Sequence, residues 1–591
     1  MLILHTYRGD PRRHQTRALS CHVVAGVLCV FLAFFGQLAV ADAPSTPRPN
    51  AGSLLDQATP PGVEPTLPAS TLPSLLDEEV EENEAAAEKI KVSRFVIEGA
   101  KLLPLPELEA QLADLVGKDL SLAGLRKVAA RITKIYREHG FFLARAYLPA
   151  QDIVDGVVYI AVLEGKYDGV ELSGTTRLDE QHVQGILDAH KVSEGQPIER
   201  PAFERSLILL EQQSGREVQA TLQPGATVGT SHMILEVPAG PLFSGQVGAD
   251  NYGNHYSGKE RATALLNLNS PRGVGDRASL WLMKSSGSDA VFAAYQSPVG
   301  YDGFTLGASY SHFDYQLCCE FSSADETGNA EVFGIQARYP LLLTQRAIAN
   351  AGLSLERKHL TDTSTAGQLD DKYATVAGFS LDGVAVHWGG QNRYQVGFFA
   401  GDLDLSNNPG NAAQDAATVD TAGHYLKLRA EFEHLHPLAN GTKLDIRLSG
   451  QWSNRNLDSS EAFLMGGNAA IRAYPEGQAP ADEALLARID WLIPVNFEQL
   501  PGSTTARLFY DTGTVWINQD TRGGLADPGG HNHYGLSGVG FGLGWSHPKG
   551  ITATLEAATM IGSNPGSSAN GDNADGNNNR SQVWLGVEWA F

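Results

Sequence analysis

The stretch Tyr425-Leu-Lys-Leu-Arg-Ala-Glu-Phe-Glu433 alternates strictly between two kinds of position. Its even positions are Leu, Leu, Ala and Phe, and its odd positions are Tyr, Lys, Arg and Glu. Successive side chains of a β-strand point to opposite faces, so the stretch predicts a strand with one apolar and one mostly polar face. The last segment of the chain alternates as well, with one apolar face formed by Val583, Leu585, Val587, Trp589 and Phe591.

Segments of this kind follow one another from about residue 241 to the C-terminus without a helical pattern. A small soluble sandwich also alternates, but one barrel with lipid outside and polar groups inside accounts for all of them. Counting each run as a strand gives about 16, an even number as in single-chain outer-membrane barrels. Tight turns such as Pro437–Gly441 mostly alternate with long connections such as 453–483, as periplasmic turns and outer loops do. We therefore expect an all-β transmembrane barrel over residues 241–591.

A different pattern precedes the barrel and occurs twice. Each copy reads as a strand, two helices and two strands, and the copies cover residues 91–165 and 166–240. In the first copy the second helix is predicted over Leu122–Arg137, where apolar residues recur at helical spacing. We expect two small α+β domains of about 75 residues in series. Their open sheet edges could accept a strand from another chain.

The N-terminus predicts an export signal over residues 1–41. It has a basic start, an apolar run over Val23–Phe35 and small residues at Ala39-Val-Ala41. The alternative is a membrane anchor, but the run is short for a span that needs roughly 20 apolar residues. Residues 42–90 are rich in proline and then in acidic residues, which indicates a linker. Within it, Ala51–Gln57 predicts a short helix.

Composition excludes several classes of function. The net charge of −23 argues against a nucleic-acid-binding protein, because phosphate binding needs clustered Lys and Arg. Of the four cysteines, two lie in the predicted signal, and Cys318 and Cys319 are adjacent. They could form a vicinal disulfide or remain two thiols, but they cannot build a long-range disulfide framework or a four-ligand zinc site. No phosphate-binding loop or serine nucleophile elbow occurs. We expect no enzymatic activity, no cofactor and no metal.

One long connection has unusual composition. The stretch Phe463-Leu-Met-Gly-Gly-Asn-Ala-Ala-Ile-Arg-Ala-Tyr-Pro-Glu-Gly477 is largely apolar and contains a single cation, Arg472. Asp511 lies on a later predicted strand, where alternation places it on the lumenal face. If the connection folds back into the lumen, Arg472 can form a charge-assisted pair with Asp511. The alternative is that Arg472 is an exposed loop residue.

Phe463-Leu-Met-Gly-Gly467 followed by Ile471-Arg-Ala-Tyr474 resembles the in-folded loop motif, usually Val-Arg-Gly-Tyr, of two-partner secretion transporters. These transporters belong to the superfamily that includes outer-membrane protein insertases. The positions matching the loop motif are Gly466, Gly467, Ile471, Arg472, Ala473 and Tyr474, and those matching the barrel-wall partner motif are Phe509, Asp511 and Gly513. Ala473 replaces the usual glycine, which makes a positive φ there less easy.

Further motifs carry the same resemblance in order along the chain. Asp250-Asn-Tyr-Gly-Asn254, with Arg261, resembles the first barrel hairpin, and Asn269–Asp276 resembles the turn after it. The two α+β units resemble periplasmic polypeptide-transport-associated (POTRA) domains. The terminal Phe591 resembles the signal read by the barrel-assembly machinery, although an aromatic residue at the membrane interface explains it equally.

The resemblance implies a protein of the bacterial outer membrane, embedded in its lipid, with its N-terminal domains in the periplasm. Those domains would capture a large secreted exoprotein, which would leave through the barrel lumen and could be activated on the way. The segment 51–57 is a candidate for the family's plug helix. The alternative function is that of an insertase for other barrels; a diffusion porin would not need the paired N-terminal units.

Overall fold

The computed structural model describes residues 48–55, 60, 65–68, 89–521, 531–568 and 570–591. The predicted export signal and most of the predicted linker lie outside the described residues. Within the described part of the linker, helix α1 (Ala51–Leu55) lies in the stretch that predicts a short helix. Among the described residues, no helix combines the length and the apolarity needed to cross a membrane.

The first N-terminal unit has the predicted order of a strand, two helices and two strands, with one short strand pair added. Its elements are β1 (Lys89–Lys91), β2 (Arg94–Glu98), α2 (Leu105–Ala110), β3 (Asp119–Ser121), α3 (Leu122–Glu138), β4 (Arg145–Tyr147) and β5 (Val157–Leu163). The sheet has the order β2-β5-β4, and β1 pairs with β3 outside it. Helix α3 begins where the Ser121 side chain accepts a hydrogen bond from the Gly124 amide, which satisfies one of the free N–H groups of the first turn.

The second unit repeats this arrangement. Its elements are β6 (Lys166–Ser173), α4 (Glu180–Ala189), α5 (Arg200–Ser214), β7 (Gln219–Pro224) and β8 (Thr230–Glu236). The sheet order is β6-β8-β7, so β7 is an edge strand that pairs with β8 on one side. Both units therefore confirm the predicted architecture.

The remainder of the chain forms a closed antiparallel barrel of 16 strands, as predicted. The barrel strands are β9 (Phe243–Asp250), β10 (Arg261–Asn269), β11 (Arg277–Lys284), β12 (Ser288–Pro298), β13 (Thr305–Gln316), β14 (Thr327–Leu343), β15 (Ala347–Ser364), β16 (Gly367–His387), β17 (Gly390–Asp404), β18 (Gly423–Pro437), β19 (Lys443–Ser453), β22 (Glu483–Val495), β23 (Ser503–Trp516), β24 (His533–Ser546), β25 (Ile551–Met560) and β26 (Ser581–Ala590). The strands β20 (Phe463–Leu464) and β21 (Pro480–Ala481) pair only with each other, inside one connection. Strand β26 pairs with β9 and closes the barrel.

The barrel strands place apolar side chains outward. On β23, the side chains of Leu508 and Tyr510 are exposed. Those of Phe509 and Asp511, which alternate with them along the strand, are buried. On β26 the outward face is the one predicted from the sequence, and its apolar side chains are all about half exposed. An aqueous protein would not leave such a continuous apolar surface uncovered.

The two ends of the barrel differ in their connections. At the end nearer the N-terminal units the turns are short, for example 299–304 and 547–550, while the long connections lie at the other end. The expectation that no helix occurs from about residue 241 onward is wrong for one long connection, in which helix α6 (Pro409–Ala417) forms. Asn408 caps it by accepting from the Asn411 amide, and proline at the first position is compatible with the free N-terminal turn.

The second unit packs directly against the short-turn end of the barrel. Its core is continuous with three barrel side chains, Leu343, Ile348 and Val384. The amide of Asp179, at the start of α4, donates to the carbonyl of Gly273 at 2.8 Å. The N-terminal units are therefore positioned at the entrance of the barrel opposite the long connections.

Candidate functional site: a loop held inside the barrel

The connection between β19 and β22, residues 454–482, folds back into the barrel lumen. The β20–β21 pair closes its base, and the segment beyond it forms a compact turn. The apolar side chains of this turn form a single cluster with the inner wall of β22 to β25. The loop is thus a packed element of the lumen rather than an exposed tip.

Arg472 lies at the tip of this loop and is completely buried. Its Nε and Nη2 donate to the two carboxylate oxygens of Asp511 at 2.9 and 2.7 Å, and its backbone amide donates to the same group at 3.0 Å. The structure therefore brings together the two residues that the sequence singled out. The pair is bidentate, the geometry in which an arginine binds a carboxylate most strongly.

Asp511 is not the only acceptor. Both carboxylate oxygens of Asp490 accept from Arg472, at 2.9 and 3.1 Å, and Glu556 lies 3.4 Å from its Nη1. The ring of Phe509 stacks beneath the guanidinium, with its centroid 3.5 Å from the central carbon. Arginine suits such a site because its planar fork presents five N–H donors and also stacks on aromatic rings.

Two further arginines balance the charge of the three acids. Arg507 donates to Glu556 at 2.6 Å, and Arg488 has its Nε 3.7 Å from Asp511. Three cations and three anions thus lie together, with Arg472 and the three acids buried and Arg507 partly exposed. Burying unpaired charges is costly, so this balance is what allows the loop tip to remain in the lumen.

Glycines on the wall make room for the tip. A Cβ on Gly538 would lie 2.4 Å from the Ala473 methyl, and one on Gly513 would lie 2.5 Å from the sulfur of Met465. A Cβ on Gly540 would meet the ring of Phe509 at 2.3 Å. The three motif positions on β23 therefore have distinct tasks: Phe509 stacks, Asp511 accepts hydrogen bonds and Gly513 leaves space.

The loop motif itself is built as a tight turn. Gly467 has a φ of 114°, which a residue with a side chain rarely adopts, and a Cβ on Gly466 would lie 2.4 Å from the Pro475 carbonyl. The amide of Ile471 donates to Met465 at 3.0 Å, and that of Tyr474 donates back to Ile471 at 3.1 Å. These bonds hold Arg472 at the outermost point of the turn.

Ala473 does not adopt a positive φ. The concern that alanine strains the loop tip at this position is therefore removed. Its methyl group instead occupies the space that Gly538 leaves open. The exchange of glycine for alanine in the loop is compatible with the fold because the opposing wall residue is itself a glycine.

Sequence reasoning missed half of the Arg472 environment. Asp490, Glu556 and Trp584 each contact Arg472, the last by donating from its indole Nε1 to the Arg472 carbonyl at 2.7 Å. The sequence did contain a signal for this part of the wall, because four consecutive inward positions of β24 are glycine. These residues are Gly538, Gly540, Gly542 and Gly544. Such spacing indicates a wall on which another chain segment lies closely.

The other predicted motifs are structural joints of the barrel. Arg261 donates to both oxygens of Asp250, at 2.8 and 3.3 Å, across the first hairpin. In the turn that follows, Arg272 donates to Asp276 at 3.0 Å. The backbone of Phe591 exchanges two hydrogen bonds with Gly245, so the last residue extends the seam that closes the barrel.

A polar cluster joins the second unit to the barrel. Asp302 accepts from Arg205 at 3.2 Å and lies 3.0 Å from His190, and the Tyr339 hydroxyl also donates to it. Burial acts to raise the pKa of Asp302, but the Tyr339 hydroxyl and the charges of Arg205 and His190 outweigh it and hold that pKa below its usual value. Such a group contributes to docking above its usual pKa and loses that contribution as the pH falls through the lowered value.

Cys318 and Cys319 form a disulfide with each other. Within the described part of the chain, His255, Cys319 and Glu320 are the one group with ligand atoms close enough to share a metal, within 4.8 Å of one another. A sulfur held in a disulfide is not the thiolate that binds metals. We therefore assign no metal site to this group.

Comparisons with known proteins agree with this architecture. The family model "Haemolysin secretion/activation protein ShlB/FhaC/HecB" matches residues 229–545, and the model "POTRA domain, ShlB-type" matches residues 90–165. The heme/hemopexin transporter protein HuxB of Haemophilus influenzae is 25% identical over 498 residues, which cover 82% of this chain and 84% of HuxB. The hemolysin transporter protein HpmB of Proteus mirabilis is 21% identical, over 72% of this chain and 76% of HpmB.

Among solved structures, CdiB from Escherichia coli superimposes with a TM-score of 0.69 at 19% identity, covering 91% of this chain and 95% of CdiB. BamA from Haemophilus ducreyi lacking POTRA domains 1–3 gives a TM-score of 0.50 at 15% identity, over 85% of this chain and 100% of BamA. These likenesses show the shared fold. With a family model that spans more than half of its length, the chain belongs to the haemolysin secretion/activation protein family, as an outer-membrane β-barrel with POTRA-type domains on its periplasmic side.

Proposed function

We propose that this protein exports one large exoprotein across the outer membrane, receiving it at the POTRA units and passing it through the barrel. The observation that carries the mechanism is the loop tip locked inside the lumen by Arg472. A passive pore has no need for such a device, whereas a channel that must stay shut until its partner arrives does. The family membership supports the same function.

The arrangement at the periplasmic end of the barrel supports this proposal. The second unit lies under the barrel mouth, and its edge strand β7 pairs on one side only. Such an edge can take up an extended segment by main-chain hydrogen bonding. We infer that β7 receives the N-terminal domain of the exoprotein and holds it near the lumen.

Helix α1 supports a closed resting state. Leu54 and Leu55 are buried in a cluster formed by side chains of the inner barrel wall, among them Trp281, Phe313 and Tyr315. A segment from the N-terminal linker therefore occupies the lumen. We infer that α1 acts as a plug, which the exoprotein displaces.

Insertion of other barrels is the second candidate function. The likeness to BamA supports the shared fold but no more than that, whereas the matched family model and the named transporters support secretion. Of the biogenesis partners, the barrel-assembly machinery is proposed to read Phe591, whose exposed ring ends the seam strand. The outward apolar face is proposed to contact outer-membrane lipid directly.

The function is tested by Arg472→Ala and Asp511→Ala in cells that also produce the exoprotein. Arg472→Ala leaves three acids with two cations, and Asp511→Ala leaves three cations with two acids, and an uncompensated buried charge strongly destabilises the loop position. We expect at least a tenfold loss of secreted exoprotein, while heat-modifiable migration on gels shows that the barrel still forms. Arg455→Ala is the matched control, because this arginine belongs to the same loop but lies outside the cluster.

Normal secretion by either cluster variant would disprove the role of the pair. If instead the exoproteome is unchanged on gene deletion while other outer-membrane barrels are depleted, the insertase function is correct.

A further inference from the structure

The in-folded loop has a second attachment, to other strands of the barrel wall than those that bind Arg472. The descending limb of the loop carries two buried acids, Asp458 and Glu461. The ammonium group of Lys372 lies 2.6 Å from Asp458. Lys358 and Lys427 bind the two oxygens of Glu461 at 2.8 and 2.6 Å. Three lysines of the wall thus hold two acids of the loop.

The charges at this attachment are reversed relative to the tip. At the tip the loop supplies the cation and the wall supplies the acids; here the loop supplies the acids and β15, β16 and β18 supply the cations. Each of these ion pairs is almost fully buried, and removing one partner of a buried pair leaves an uncompensated charge. The limb is therefore fixed independently of the tip, to different strands.

Helix α1 rests on this limb. The Ser459 hydroxyl donates to the Asn50 side chain at 2.8 Å, and a Cβ on Gly52 would lie 2.5 Å from the same hydroxyl oxygen. On its other side, the amide of Ala51 donates to Asp362 of β15 at 2.8 Å. Helix α1 therefore lies between the barrel wall and the loop limb that the lysines hold.

We propose that Lys358, Lys372 and Lys427 are positioning residues that hold the loop limb as the seat of α1, independently of the Arg472 anchor. The proposal rests on the proposed role of α1 as a plug. This arrangement implies an order in which α1 and the loop limb are released. The two hydrogen bonds at the start of α1 involve Ser459 of the loop and Asp362 of the wall, so α1 can leave without breaking the lysine pairs. Loss of the lysine pairs, by contrast, releases the limb on which α1 lies.

The contact of α1 with the limb can be probed with a single buried thiol, Ala51→Cys, labelled by a water-soluble maleimide in purified protein that has lost residues 1–41 and with them Cys21 and Cys29. Cys318 and Cys319 are joined in a disulfide and do not react without reductant. Adding Lys358→Met and Lys427→Met should raise the labelling rate at least tenfold, because Glu461 then lacks both of its cations and the turn that carries Ser459 is released from the wall. Adding Arg472→Met instead should change the rate less than twofold, because the tip lies on other strands.

Lys427→Arg, combined with Ala51→Cys alone, is the conservative variant. It should be labelled slowly, because the ion pair with Glu461 is kept. Glu461→Gln removes the same ion pairs from the loop side, without changing the barrel wall. It should be labelled as fast as the double lysine variant. Heat-modifiable migration confirms that each barrel is folded.

Slow labelling in both the double lysine variant and Glu461→Gln would overturn the proposal. Equally fast labelling in Arg472→Met would also overturn it, since the two attachments would then act as one. Secretion measured in the same strains tests the role of α1 as a plug separately from its contact with the loop limb. Fast labelling with unchanged secretion would support the seat and contradict the plug.

Discussion

At the scale of single residues, the site depends on arginine rather than on positive charge in general. The side-chain nitrogens of Arg472 reach Asp511, Asp490 and Glu556 together. A lysine has one ammonium centre and cannot bind two carboxylates in bidentate fashion. The guanidinium also stacks face to face on Phe509, which a tetrahedral ammonium group cannot do.

The sequence predicted the pair but not its surroundings. Alternation along β23 places Asp511 inward with no knowledge of the fold, and Arg472 is the only cation in an apolar stretch. Alternation also predicts that the side chains of Asp490 and Glu556 point inward, but it predicts the same for many other acids of the barrel. Which of them meets Arg472 depends on the path of the loop through the lumen, and that path is set by packing between segments distant in sequence.

Ala473 and Gly538 give a residue-scale prediction. Gly538→Ala places a methyl 2.4 Å from that of Ala473, closer than packed carbons allow, and overpacking of this kind costs about 1–3 kcal/mol. We expect the tip to leave its seat and secretion to fall at least fivefold, while Gly538→Ala combined with Ala473→Gly restores it. Gly535→Ala on the same strand is the control, since its nearest neighbour would be 3.4 Å away. Failure of the double variant to recover would show that Ala473 and Gly538 do not form a complementary pair.

At the scale of elements, the spacing of apolar residues and the turn residues between segments account for the part of the fold that could be predicted. The two α+β units and the 16 strands follow from repeating helical and alternating patterns. Helix α6 was missed, although Asn408 before Pro409 is a helix-start signal, because nine residues inside a long loop carry little periodicity. The pair β20–β21 could not be found either, because two-residue strands have no period at all.

The edge strand β7 gives an element-scale prediction. Its edge is open to an incoming strand, whereas the amide of Ala146 on the corresponding strand β4 is already bound by the Thr133 hydroxyl. A photo-crosslinking residue at the exposed Thr221 of β7 should therefore crosslink to the N-terminal domain of the exoprotein. The same residue at Arg131, on the exposed face of α3, serves as the control. Equal crosslinking at both positions, or none at Thr221, would exclude capture by this edge.

At the scale of the whole molecule, the lumen is closed by elements from three parts of the chain. The linker supplies α1, a long outer connection supplies the in-folded loop, and the second POTRA-type unit packs against the short-turn end. The loop has opposite charges at its two attachments, so each can be stabilised or released separately. The proposed capture of the exoprotein by β7 makes the docking of the second unit to the barrel a further point of control.

That docking depends on Arg205 of α5. Its Nη2 donates to the carbonyls of Asp302 and Pro340 at 2.8 and 3.0 Å, and its Nε donates to the Asp302 carboxylate. Arg200 on the same helix lies instead over Phe142 of the first unit. Arg205→Ala removes the main polar contact between the unit and the barrel, whereas Arg200→Ala leaves that contact in place.

The distance between the second unit and the barrel can be followed by pulsed electron paramagnetic resonance, with spin labels at the exposed positions Glu194→Cys and Lys549→Cys. The parent should give one narrow distance distribution, because the apolar core of the unit runs into the barrel wall. Arg205→Ala should broaden the distribution, and Arg200→Ala should not. A narrow distribution in Arg205→Ala would mean that the apolar contact with Leu343 and Ile348 alone holds the unit. The polar cluster around Asp302 would then have no part in placing the exoprotein at the entrance.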